Sequence, residues 1–126
     1  MTNAIDIITN ELVSGKTISE ALFNVYSKRN VAFSYNPKWF DVDVRNLGMN
    51  SRIVNALMRA HLRTINDIIK FVEDEHRLTE IRAMGVDSCY KLMETILDYA
   101  WDHMNIEERA EFLLDVTERN EQYLKA

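Results

Sequence analysis

Apolar residues along this chain recur at three- and four-residue intervals, the spacing of one helix face. A first helix is predicted from about Asn3 to Val13, with Ile5, Ile8 and Leu12 on one side and "SGK" breaking it. Thr17 with Glu20 reads as a capping box for a second helix through Ile18, Leu22, Val25 and Tyr26. "NVAFSYNPKWF" follows, aromatic and holding the single proline. It is expected to be a buried connector with a short extended piece. Phe33, Tyr35, Trp39 and Phe40 are too many rings to leave in water.

Asn50 or Ser51 is expected to cap a third helix running to about His61. Thr64, with Asp67 at its third helical position, opens a fourth, turning Ile65, Ile68, Ile69 and Val72 inward. "EDEHRL" starts a short fifth helix that stops at Gly85. Asp87 or Ser88 caps a sixth, which buries Leu92, Met93, Ile96 and Leu97 and ends near His103. Asn105 with Glu108 caps the last, carrying Ile106, Ala110, Leu113, Leu114 and Tyr123. The expected class is all-α: a compact multi-helix domain with an N-terminal extension (1–41) packed on a core (42–104), and a C-terminal amphipathic acidic helix (105–126), together one globular unit.

Three glycines and one proline agree with helices on short connections. The 126 residues suffice for one domain. A single cysteine, Cys89, excludes an internal disulfide and fits a reducing compartment. No apolar run approaches the roughly 18–20 residues of a membrane span. The opening "MTNAIDIITNEL" has no basic residue before Lys16 and does not read as a secretory signal. The expectation is a cytoplasmic protein without membrane contact.

Charge changes this picture. The formal net charge is -5, yet residues 44–72 carry five basic residues against one acidic and sum to +4. Residues 73–100 and 101–126 each sum to -4. An acidic total argues against indiscriminate coating of polyanions. It leaves room for a local phosphate-binding face, because charges beyond about 8 Å are largely screened at cellular salt.

The basic segment has a pattern. At roughly 100° per residue, Arg52, Asn55 and Arg59 of "NSRIVNALMRAH" share one helix face, beside Ile53, Leu57 and Ala60. A solvated polar face is the common meaning of such spacing. A second feature is "EIRAMGVDSC". It reads as a helix end, then a glycine able to take φ > 0 and admit a close partner, then a helix start whose amides favour an anion. A plain glycine C-cap followed by an N-cap is the everyday reading of one such turn.

Together, "VRNLGMNSRIVNALMRAHLRTINDII" and "LTEIRAMGVDSCYKLMETIL" resemble the C-terminal domain of the bacterial RNA polymerase α subunit, a compact helical unit containing a helix-hairpin-helix. Leu47, Arg52, Asn55, Leu57, Leu62, Ile65, Ile68, Leu78, Ile81, Met84, Gly85, Ser88 and Leu92 fill the matching places without a gap in either block. The resemblance spans about 42–100. It implies binding of double-stranded, A·T-rich DNA across the minor groove beside promoters, with a transcription protein as a further partner. The family's minor-groove arginine falls on Arg52 and its asparagine on Asn55, while the hairpin glycine and following serine, which approach the phosphate backbone, fall on Gly85 and Ser88. Arginine suits a narrow, strongly negative minor groove, and amides with a hydroxyl suit phosphates. Arg59 and Arg63 add positive surface.

There are departures. Two hairpin lysines of the family are Val86 and Asp87 here, and a glutamate of the family is Lys91, which restores part of the charge. The subunit's large assembly domain is replaced by about 40 residues of helix and aromatic connector, so a free-standing bacterial, phage or mobile-element protein is expected.

Catalytic chemistry is not expected. His61, His76 and His103 have no zinc-type spacing with Cys89. Cys89 falls in a first helical turn, where the dipole lowers a thiol pKa, but no histidine partner is indicated. Neither a phosphate loop nor a dinucleotide fingerprint is present, and no cofactor is expected. Two other readings stand beside DNA binding. One is a non-catalytic interaction module that kept the fold without the DNA, favoured by the acidic flanks, Asp87, and the Leu113–Leu114 stripe. The other is a phage-type mimic of the polymerase domain that competes for its activators.

Overall fold

The structure is a computed structural model that describes residues 3–29, 31–34, 41–74 and 76–124. Six α-helices and no strand occur among the described residues, so the chain is all-helical. Its residues fall into two compact units, one of 1–34 with 97–126 and one of 35–96.

In the first unit, α1 spans Ala4–Val13 and α2 spans Ile18–Tyr26. Both starts are side-chain capped: Asn3 accepts from the Asp6 amide and Thr17 from the Glu20 amide. Ile8 of α1 and Ile18, Leu22, Val25 and Tyr26 of α2 are buried as their spacing predicts. Ser27 ends α2 in the left-handed conformation, φ 54°. The last residues of α5 (Val86–Asp102) and all of α6 (Ile106–Arg119) complete this unit. Asp98 of α5 accepts from the Ser19 amide at 3.0 Å and hydroxyl at 2.8 Å, adding a second acceptor at the start of α2.

α6 opens with the expected Asn105–Glu108 reciprocal cap. Its buried side differs from the one read off the sequence. Ile106 is 84% exposed and Leu114 62%, Ala110 is exposed, and Tyr123 lies in a following 3-10 turn, also exposed. Phe112 and Val116 are buried instead. The helix has two apolar rows, and tertiary contact chooses the one carrying Phe112. That ring meets Phe33 and Trp101 edge-on, each with centroids 5.8 Å apart.

Residues 31–34 are held along α6 by polar contacts. Asn120, wholly buried, accepts from the Ala32 amide at 3.0 Å and donates to the Ala32 and Val116 carbonyls at 2.7 and 2.8 Å. Asp115 accepts from the Ser34 amide and hydroxyl, and Arg119 donates to both Asp115 and Ser34. Of the aromatic connector, Phe33 is half-buried; Tyr35, Trp39 and Phe40 lie outside the described residues.

In the second unit, a 3-10 turn at Val44–Asn46 precedes α3 (Ser51–Arg59) and α4 (Ile65–Glu73). Asn50 caps α3, accepting from the Ile53 amide at 3.0 Å. The helix ends at Arg59, two residues before the predicted His61. His61 has φ 62°, its amide donates to the Met58 carbonyl, and the Leu62 amide donates to Leu57. That is a Schellman ending with histidine in the place glycine usually takes. Leu62, the residue after it, is buried.

Thr64 and Asp67 form the predicted capping box of α4. Ile65, Ile68 and Ile69 are buried; Val72, expected inward, lies in the last turn and is 45% exposed. Residues 42–44 and 63–65 are tied by Val44 N to Arg63 O and Ile65 N to Val42 O. The predicted fifth helix is a single 3-10 turn, Leu78–Glu80, followed by a turn in which the Met84 amide donates to the Ile81 carbonyl. Ala83, third in that turn, has φ 70°, the type II pattern. α5 starts one to two residues before the predicted caps. The Cys89 amide bonds the Gly85 carbonyl, which puts Gly85, rather than Asp87 or Ser88, in the capping place.

Candidate nucleic-acid interface

Every residue of the expected DNA-binding set belongs to the 35–96 unit. On α3, Ile53, Ala56 and Leu57 are buried to within 2% of full burial and fix the roll of the helix. With the roll fixed, Arg52, Asn55 and Arg59 are turned to the outside, and all three are exposed. The structure therefore brings these three onto one outward face, backed by core.

Arg63 lies in a different setting. Its Nε donates to Asp43 Oδ2 at 3.2 Å, while Arg45 grips the same carboxylate through Nε at 3.0 Å and Nη2 at 2.8 Å. The Arg45 amide also donates to Asp43, which caps the 3-10 turn. The Arg45 side-chain and backbone donors, outweighing desolvation and helped by Arg63, hold the Asp43 carboxyl far below the usual carboxylate range. Both guanidiniums stay more than half exposed. Asp43 was not among the residues singled out from sequence. An aspartate two positions before an amide it can cap is the available local signal.

Gly85 does not have the positive φ expected of it; Ala83 does. A Cβ added at Gly85 would meet nothing within 4 Å. Neither backbone angle nor internal packing requires glycine there, and the space beside it is open. Ser88, one turn into α5, is half-buried. Lys91 sits 3.9 Å from Asp87, four residues before it, both well exposed. An exposed pair of that kind contributes roughly 0–1 kcal/mol. The lysine thus offsets the aspartate that stands where the resembled family has a cation.

Other chemistry is sparse. No group of three metal-ligating side chains occurs among the described residues. Burial pushes the Cys89 thiol up, opposite to the dipole effect expected from its place in the first turn. A cavity of about 340 Å³ in the other unit is lined by Lys16, Asp98, Trp101, Asp102 and Arg109 among others. Its polar groups are partly committed: Asp98 to Ser19, and Arg109 to the Trp101 carbonyl and ring face. No described helix is long and apolar enough to cross a membrane. Compared with protein-family models, curated proteins and solved structures, the chain has no match.

Proposed function

We propose that this chain is a non-enzymatic DNA-binding protein of transcription, acting in the cytoplasm and related to the C-terminal domain of the polymerase α subunit. Arg52 and Asn55 enter an A·T-rich minor groove, Arg59 lies along its edge, and the Gly85–Ser88 turn with Lys91 meets the phosphate backbone. The observation that carries this reading is the α3 face. Two arginines and an asparagine are held outward on a helix whose opposite side is buried, inside a stretch, 44–72, that sums to +4 in an acidic chain. A long guanidinium on a rigid helix suits a narrow groove, where negative potential is greatest. The open space at Gly85 suits a backbone that must come close to a partner.

One observation favours the interaction-module reading: Asp43 holds Arg45 and Arg63, and Asp87 sits beside Lys91, so acidic groups mask three of the unit's cations. A single experiment separates the two. Fluorescence anisotropy is measured with an A·T-rich and a G·C-rich duplex at low and moderate salt, using wild type and Arg52→Ala. DNA binding predicts preference for the A·T-rich duplex and weakening with salt. It also predicts a loss of about tenfold or more in the variant, in the range of ~1–3 kcal/mol for one arginine contact. No binding to either duplex at low salt removes the DNA reading. Equal binding by Arg52→Ala removes the site assignment.

A further inference from the structure

The row of α6 that the core leaves uncovered is unusual for a solvated helix side. At roughly 100° per residue, Ile106, Ala110, Leu113 and Leu114 fall within about a 100° arc, and Phe112 and Val116 lie on the other side. Ile106 is 84% exposed and Leu114 62%, with exposed Ala110 between them and Leu113 half-buried at the edge. Single exposed aliphatic residues are ordinary, whereas i, i+4, i+8 spacing on one row makes a continuous ridge of about 12 Å. The adjoining row is Glu107, Glu111 and Glu118, all exposed. The opposite border of the ridge turns into the core at Val116.

We infer that this ridge docks an amphipathic helix of another protein whose apolar stripe is bordered by lysine or arginine. The apolar spacing matches helix-against-helix recognition through i, i+4 and i+8 anchors. Charge complementarity selects the partner's chemistry: three glutamates in line along one border attract a basic flank and repel an acidic one. The same charges weigh against a second copy of this chain. Two-fold antiparallel pairing of the ridge sets each glutamate row against its own image. This surface lies in the 1–34/97–126 unit and is independent of the DNA reading, which concerns residues of the other unit.

The test uses the full chain and synthetic fluorescent peptides of about 18 residues, five helical turns, each with a leucine stripe. One has lysine flanks, one glutamate flanks, and one has the lysine peptide's composition in scrambled order. Anisotropy is expected to show binding of the lysine-flanked peptide over the other two. Leu114→Gln and Ile106→Gln each weaken it by roughly tenfold, as loss of one aliphatic contact does. Glu107→Lys with Glu111→Lys reverses the flank preference. Because these positions are exposed, circular dichroism melts of the variants are expected to overlay wild type. Three results overturn the proposal: equal binding of the scrambled peptide, no loss in the glutamine variants, or no response to the charge reversal. Concentration-dependent dimerisation in sedimentation velocity that Leu114→Gln abolishes also overturns it, in favour of self-association.

Discussion

Asp43 accepts four hydrogen bonds from two arginines, and this one carboxylate sets how much of the local positive charge faces outward. Its folded pKa is depressed, so its stabilising contribution is complete above the unfolded value of about 3.9. That contribution is lost as pH falls through the folded value, well into the acid range. Asp43→Asn keeps an oxygen to cap the Arg45 amide and removes the charge that restrains both guanidiniums. The expected outcome is a several-fold gain in affinity for an A·T-rich duplex and a steeper salt dependence, by up to about 0.9 in slope per added phosphate contact. Anisotropy titrations over a range of salt check it, and an unchanged slope places Arg45 and Arg63 away from the DNA. At this scale the sequence was informative about Arg52, Asn55 and Arg59, since exposure on a short helix follows from spacing. It was silent on Asp43, whose meaning depends on Arg63 twenty positions later. It was silent also on Ala83 and His61, whose positive φ values are set by the closure of turns rather than by residue type.

Helix starts were the most legible elements, because a cap is decided by residues three positions apart. Thr64–Asp67 and Asn105–Glu108 both form reciprocal boxes, and Asn50 and Thr17 accept from the amides their spacing predicts. Thr64→Ala is expected to destabilise the protein by about 1 kcal/mol, and Asn105→Ala by a similar amount. Urea unfolding followed by circular dichroism measures both, and a change below a few tenths of a kcal/mol contradicts the capping account. Helix ends and faces were less legible. Histidine ended α3 where glycine gives the usual signal, and the helix expected to run up to Gly85 is replaced, among the described residues, by one 3-10 turn at Leu78–Glu80. On α6 both sides are apolar enough to be a core face. Periodicity alone cannot choose between them; the rings of Phe33 and Trp101 against Phe112 do.

Tertiary closure in the first unit depends on contacts that sequence spacing does not reveal. Asn120 is a polar residue at zero exposure, and its amide pairs with a backbone 88 positions away. Removing it deletes two part-buried bonds to Ala32 and strips the Val116 carbonyl of a buried donor. Asn120→Ala is therefore expected to lower unfolding stability by about 1–3 kcal/mol, at roughly 0.5–1.5 kcal/mol for each lost hydrogen bond. Chemical denaturation reads the loss, and Asn120→Asp restores only the bond from the Ala32 amide. The all-helical class and the basic stretch are legible in the sequence alone, since both are averages over many residues. The grouping of 1–34 with 97–126 was not.

That grouping has a consequence for synthesis on the ribosome. The 35–96 stretch is contiguous and emerges whole, so it can fold while translation continues. The α1–α2 pair emerges before it yet must wait for Asp98, Trp101 and α6 to be translated before it meets the rest of its unit. A nascent chain in which only that stretch has cleared the ribosome would carry a finished second unit behind an α1–α2 pair still lacking its cover, the form most in need of a chaperone.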